Sequence, residues 1–207
     1  MKKRFHKLIL IFSLLLGAIF TLVVVLQNPK GNCVQGDCKN GRGILEFTKG
    51  LRYTGEFKDG LQHGFGTFAD AKGNRYEGSW HKGKKQGFGT YSYPGGETYS
   101  GFFHKDKKWG KGIYTWNDQT RYIGMWKNGE PEGEGIVTLP GGREMKGIYK
   151  NGTIYEGEGI YIYDDGSKYI GEWKDGKRHG EGILKDKTGK IIFQGKWREG
   201  QFSKDNG

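Results

Sequence analysis

The residues able to do chemistry in this 207-residue chain are few and scattered. They comprise two cysteines, Cys33 and Cys38, five histidines at positions 6, 63, 81, 104 and 179, and a run of carboxylates, Glu132, Glu134, Glu156, Glu158 and Glu181. Four residues separate the cysteines, which is not a C-x-x-C redox spacing. Two sulfurs without nearby His or Cys partners also cannot complete a zinc site. On an exported domain, a local pair of this kind reads as a disulfide between Cys33 and Cys38. The histidines form neither a triad nor a metal-spaced pair, and no G-x-S-x-G or Cys beside His supplies a nucleophile. Five carboxylates could hold a cation, but equivalent positions in successive units lie two strands, or roughly 10 Å, apart on a sheet, and neighbouring lysines can neutralise them. A salt-bridged surface is the simpler reading. Each Gly-x-Gly lacks the helix that would make a phosphate loop. The expectation is therefore no catalytic residue, no metal and no cofactor.

The elements that position these residues follow a strict frame. The stretch Tyr76 to Thr98, YEGSWHKGKKQGFGTYSYPGGET, sets a pattern that restarts every 23 residues, at Tyr53, Tyr76, Tyr99, Tyr122, Met145, Tyr169 and Phe193, with one residue inserted in each of the units opening at Met145 and Tyr169. Counted from the opening aromatic, most of the 39 glycines fall at unit positions 3, 8, 12, 14 and 21. Such a period is the signature of a repeat array. Period-two alternation puts positions 1, 3 and 5 on one face of a strand and positions 12, 14 and 16 on one face of the next. Rings and glycines intermix on that face, which implies a ring lying over each Gly where a larger side chain would displace it. Asp59-Gly60, Asn128-Gly129, Asn151-Gly152 and Asp175-Gly176 place the hairpin bends, and position 21 places the return turns. The chain reads as an antiparallel meander of fourteen short strands, roughly 65 Å long at about 4.8 Å per strand. Pairing of positions 6 and 11 across each hairpin would set Lys127 against Glu132 and Lys174 against His179 on the second face.

The units YEGSWHKGKKQGFGTY and YIGEWKDGKRHGEGIL resemble MORN (membrane occupation and recognition nexus) repeats, whose signature is similar to Y-x-G-x-W-x-x-G-x-x-H-G-x-G. The resemblance covers about Asn40 to Gln201. Departures are Asp106 for a turn Gly, Met145 for an opening Tyr, and a His before Gly only at His63 and His179. The resemblance implies an all-β, elongated single-layer antiparallel meander, a role in scaffolding, dimerisation or membrane association, and no catalysis in the repeats.

Hydrophobic residues make up 34% of the chain and aromatic residues 14%, so burial must come from rings rather than a thick aliphatic core, which favours an array over a globule. Net charge is +11, which raises anionic lipid, acidic polymers and nucleic acid as partners. The lysines are dispersed, and an exported domain rarely meets nucleic acid, so no nucleic-acid partner is expected. Residues 1–7 are basic and residues 8–26 uncharged and apolar, long enough to cross a bilayer. This predicts one transmembrane signal-anchor helix with a cytoplasmic N-terminus and the repeats outside, at the cell membrane. Cleavage of the segment as a signal peptide is the alternative. The expected divisions are a basic tail 1–7, anchor 8–26, linker and cysteine-containing cap 27–39, repeat array 40–201, and C-terminal tail 202–207.

The function expected is a non-enzymatic, membrane-tethered binding or scaffolding module. It would act through the aromatic face, represented by Tyr76, Trp80, Tyr99, Tyr122, Trp126 and Trp173, on a protein partner or a second copy. The alternative is binding of anionic lipid or an acidic polymer by the basic surface.

Overall fold

The computed structural model describes residues 31–203. The anchor predicted over residues 8–26 lies outside them, as does most of the C-terminal tail. Among the described residues no helix is long and apolar enough to cross a membrane.

Sixteen strands form one sheet in strict sequence order. They are β1 (Asn32–Gly36), β2 (Arg42–Phe47), β3 (Leu51–Lys58), β4 (Leu61–Ala69), β5 (Arg75–His81), β6 (Lys84–Ser92), β7 (Thr98–His104), β8 (Lys107–Thr115), β9 (Arg121–Lys127), β10 (Glu130–Thr138), β11 (Glu144–Lys150), β12 (Thr153–Ile162), β13 (Lys168–Lys174), β14 (Lys177–Lys185), β15 (Ile191–Arg198) and β16 (Gln201–Phe202). The antiparallel meander is as the sequence predicts, with two strands more than the fourteen expected. Asn32–Gly36 pairs with β2, and Gln201–Phe202 folds back on β15 after one further tip turn.

Hairpin tips are two-residue turns with positive φ at both central residues, as in Asp59 (φ 53°) and Gly60 (φ 75°). That backbone matches the twist of the flanking strands. The turn with Asp106 in place of glycine is kept, at φ 73°. Its carboxylate accepts from the Lys85 backbone N–H at 2.9 Å, a bond to the preceding unit that holds the tip in place, and Asp is among the residues that tolerate the left-handed region. Tips are also tied to the preceding unit: the N–H groups of Gly60, Gly83, Asp106 and Gly129 donate to the carbonyls of Lys39, Gln62, Lys85 and Lys108.

The pairing of positions 6 and 11 is not observed. Lys174 lies opposite Lys177 and His179 opposite Glu172, while Lys127 lies opposite Glu130. Two features cause the difference. The two-residue turn brings position 6 against position 9, and a bulge at positions 12 and 13 takes up the offset before the glycines at 3 and 14 meet, as Gly55 meets Gly66. The bulge requires positive φ at position 12, seen at Gly64 (58°), Gly87 (85°) and Gly133 (80°), so position 12 belongs to the bulge rather than to a regular face.

Cys33 and Cys38 form a disulfide, with Cα atoms 5.9 Å apart, closing the turn between β1 and β2. Labelling of the unreduced protein should find no reactive thiol. Reduction should cost about 2 kcal/mol, felt at the N-terminal end alone, because so short a loop constrains the unfolded chain only modestly. Two thiols reacting without reductant would contradict the bond.

Candidate functional site: the two faces of the sheet

One face of the sheet is a chain of interlocked rings. The opening tyrosine of each unit folds over its own strand and the next, so that a Cβ placed on Gly66, Gly89 or Gly112 would fall 2.2, 2.5 or 2.4 Å from the hydroxyl of Tyr53, Tyr76 or Tyr99. The hydroxyl then donates to the carbonyl of unit position 4, as in Tyr76 to Ser79 at 2.9 Å and Tyr99 to Phe102 at 2.9 Å. Position 5 supplies the second ring. Trp80 and Trp126 donate their indole N–H to the carbonyls of Gly66 and Gly112 in the preceding units, at 3.1 and 3.3 Å.

Tyr and Trp rings therefore alternate edge to face along the sheet. Tyr53 meets Trp80 at 5.2 Å, Trp80 meets Tyr76 at 5.2 Å, Tyr76 meets Phe103 at 5.0 Å, and Tyr99 meets Trp126 at 5.1 Å. Each such pair contributes about 0.5–1.5 kcal/mol beyond its burial. The chain reaches Tyr149 and resumes at Tyr161, Tyr169 and Trp173. Within the unit opening at Met145 it is interrupted, and the Tyr149 hydroxyl there and the Trp173 indole N–H of the next unit are buried without partners.

All six residues singled out from the sequence, Tyr76, Trp80, Tyr99, Tyr122, Trp126 and Trp173, lie on this face, and each is at least 93% buried. They cover one another. What the face presents outward is the flanking row Tyr93, Trp116, Leu139 and Tyr163, which packs against the ring chain and stays half-exposed.

Nothing in the residue pattern signals the cations beneath these rings. Unit position 10 points inward, and Lys85 and Lys108 are 2% and 7% exposed. The Lys108 ammonium sits 4.4 Å from the Tyr114 ring centre, 4.7 Å from Trp126 and 5.0 Å from Tyr99. Lys85 sits 4.9 Å from Tyr91. Burial pulls the ammonium of Lys85 down to about 8, against a smaller opposing effect of Asp106. It pulls Lys108 to about 7, opposed by Glu97. The Tyr114 hydroxyl donates to Glu97, and burial, with that bond and the carboxylate charge, raises its pKa.

The other face is open. Phe65, Phe88, Phe102, Met125 and Ile148 are 41–55% exposed, and Phe88 meets Phe102 edge to face at 5.7 Å. Farther along, Glu144, Glu156, Glu158, Glu172, Lys146, Lys174 and His179 border a shallow hollow of about 560 Å³. Of the five carboxylates read as a salt-bridged surface, Glu158 is paired, with Arg143 at 3.3 Å. No group of three or more His, Cys, Asp or Glu among the described residues is arranged to hold a metal ion.

A single-layer sheet of hairpin repeats, stitched tip to preceding unit and filled by its own rings, defines a β repeat-array protein. The MORN repeat profile matches residues 53–75, 76–98, 99–121, 122–142, 146–168 and 169–191, and the chain belongs to the MORN repeat family. No curated protein sequence matches it. Among solved structures, the SAS-4 (dCPAP) TCP domain of Drosophila melanogaster, determined with a proline-rich motif of Ana2 (dSTIL), is 13% identical. It covers 79% of this chain and 88% of its own, with a TM-score of 0.43. The wild-type TCP10 domain of Danio rerio CPAP is 15% identical over 75% of this chain and 79% of its own, with a TM-score of 0.34.

Proposed function

We propose that this MORN protein is a non-enzymatic binding or scaffolding module, tethered to the cell membrane by residues 8–26 and displayed outside the cytoplasm. The observation that carries the binding role is the half-exposed row Tyr93, Trp116, Leu139 and Tyr163 above a floor of buried rings. It gives a long apolar contact line on a rigid base. Tyr76, Trp80, Tyr99, Tyr122, Trp126 and Trp173 act in this reading as the floor that holds the line straight, and the partner is a protein or a second copy. The tether rests on the basic residues 1–7 followed by the uncharged apolar run.

A second reading, binding of anionic lipid or an acidic polymer, is favoured by the net charge of +11. Such binding weakens steeply with salt.

Crosslinking of intact cells with a membrane-impermeant reagent tests both parts of the main reading. An adduct is expected from the parent and should be lost when Tyr93 and Trp116 are replaced by Ser, while Phe88→Ser on the opposite face leaves it. An adduct obtained only after lysis would overturn the exported placement. An adduct indifferent to Tyr93 and Trp116 would overturn the contact line. No adduct, with salt-sensitive binding to anionic vesicles, would replace this reading with the second.

A further inference from the structure

We propose that His63 and His81 form a two-nitrogen site for a divalent transition metal of the zinc class, spanning the seam between the first two full hairpins. The two histidines are 18 residues apart in the chain and have no helical or loop motif in common. The observed register brings them together: Gly64 on β4 lies opposite Trp80 on β5, so the residues just beyond, His63 and His81, are neighbours across the seam. Their ring centroids are 4.9 Å apart, with planes inclined at 54°.

That separation is what shared ligation requires. A zinc–imidazole nitrogen bond of about 2.0–2.1 Å plus a ring radius of roughly 1.1 Å puts the metal about 3.2 Å from each ring centre. Between a right-angled and a tetrahedral N–metal–N angle, two rings at that distance have centres roughly 4.5–5.2 Å apart. Small rotations of the two side chains then converge one nitrogen from each.

The surroundings suit an open surface site. His63 is half-buried and His81 exposed. Glu56 lies opposite His63 across its hairpin, and one of its oxygens accepts from the Phe65 N–H at 3.2 Å, which fixes a negative charge nearby. Lys84 lies opposite His81, a charge of the other sign on a long side chain free to swing into solvent. Neutral imidazole selects zinc, copper and nickel over calcium and magnesium. Two protein ligands leave the remaining positions to water or to a side chain from a bound partner. The metal would add a clasp to two units already joined by backbone pairing, ring packing and the Trp80 indole bond to the Gly66 carbonyl.

His104 supplies the internal control. It occupies the same unit position as His81, but its seam neighbour is Gln86, whose amide meets the imidazole Nδ1 at 3.3 Å.

Calorimetric titration of the full chain with Zn²⁺ should show a site whose affinity falls about tenfold or more in His63→Gln and in His81→Gln, and is kept in His104→Gln. Zinc should raise the melting temperature of the parent but of neither His63 nor His81 variant. Should a variant fold poorly, imidazole NMR of the parent decides: the two ring signals should shift together and saturate at one metal. Variants binding within about twofold of the parent, no saturable uptake up to about 1 mM zinc, or ring signals that respond independently would each overturn the site.

Discussion

Replacing Gly112 by valine should unfold the middle of the array at denaturant concentrations the parent withstands, with a loss of about 3–5 kcal/mol. A Cβ at Gly112 would lie 2.4, 2.6 and 2.7 Å from the hydroxyl, Cε2 and Cζ of Tyr99. Tyr99 has no free side on which to retreat: it is fully buried, held edge-on by Phe103 at 5.2 Å and Trp126 at 5.1 Å. Moving the ring also breaks its bond to the Phe102 carbonyl. Overpacking alone costs about 1–3 kcal/mol, and the lost bond and ring contacts add to it. Gly141 should behave oppositely. It sits in a return loop with nothing within 4 Å and no left-handed φ, so Gly141→Ala should stabilise by about 0.4–1 kcal/mol by restricting the unfolded chain. Urea unfolding of the two variants separates these outcomes. Equal midpoints would mean that ring-over-glycine packing does not order the array.

Stability should rise with pH from about 7 to near 10, and substitution of Lys108 by Met should remove much of that rise. The folded ammonium of Lys108 titrates near 7 and that of Lys85 near 8, against about 10.4 in an unfolded chain. Between these values the unfolded state binds more protons than the folded one, so the free energy of unfolding increases with pH. Below about 7 both states hold the Lys108 proton and its contribution is flat. For Lys108, which is almost wholly enclosed, the difference amounts to about 3–5 kcal/mol across the window. Above pH 10 the sign reverses. Tyr53, Tyr76, Tyr99, Tyr122 and Tyr169 have hydroxyls pushed up by burial; the unfolded chain loses those protons first, and stability falls. Urea midpoints for the parent, Lys108→Met and the Lys85→Met, Lys108→Met double variant at pH 7, 8, 9 and 9.5 measure the slopes. A flat parent profile would show that water reaches both ammonium groups.

Much of this fold is legible in the amino-acid order because glycine and aromatic side chains each have one use in it. The 23-residue restart, the turn dipeptides and the interdigitated glycines are local signals, and the meander follows from them. The register inside each hairpin is not local in the same way. Whether Lys127 meets Glu130 or Glu132 depends on a two-residue turn plus a bulge, and a glycine at unit position 12 reads as a strand glycine until its φ is known. The cations at position 10 were hidden for a related reason. Lysine beside a hairpin tip normally faces solvent, and Lys85 and Lys108 turn inward because rings from their own and the next unit close over them. His63 and His81 become neighbours only once the register across the seam is fixed. Alternation puts the six rings on one shared face, where they lie, but mutual coverage cannot be read from alternation, which gives direction and not depth.

In the sheet each strand pairs only with its neighbours in sequence, and the ring chain is interrupted within the unit opening at Met145, between two buried polar groups without partners, the Tyr149 hydroxyl and the Trp173 indole N–H. In a linear array, cooperativity passes from unit to unit through such contacts, and a poor junction divides it. The protein should therefore melt as two blocks, one ending near Tyr149 and one beginning near Tyr161. Nucleation can occur in either block, and the shorter C-terminal block can open and close while the longer one stays folded. Under the proposed tether, that junction would serve as a joint, letting the C-terminal strands change their angle while the longer block stays folded.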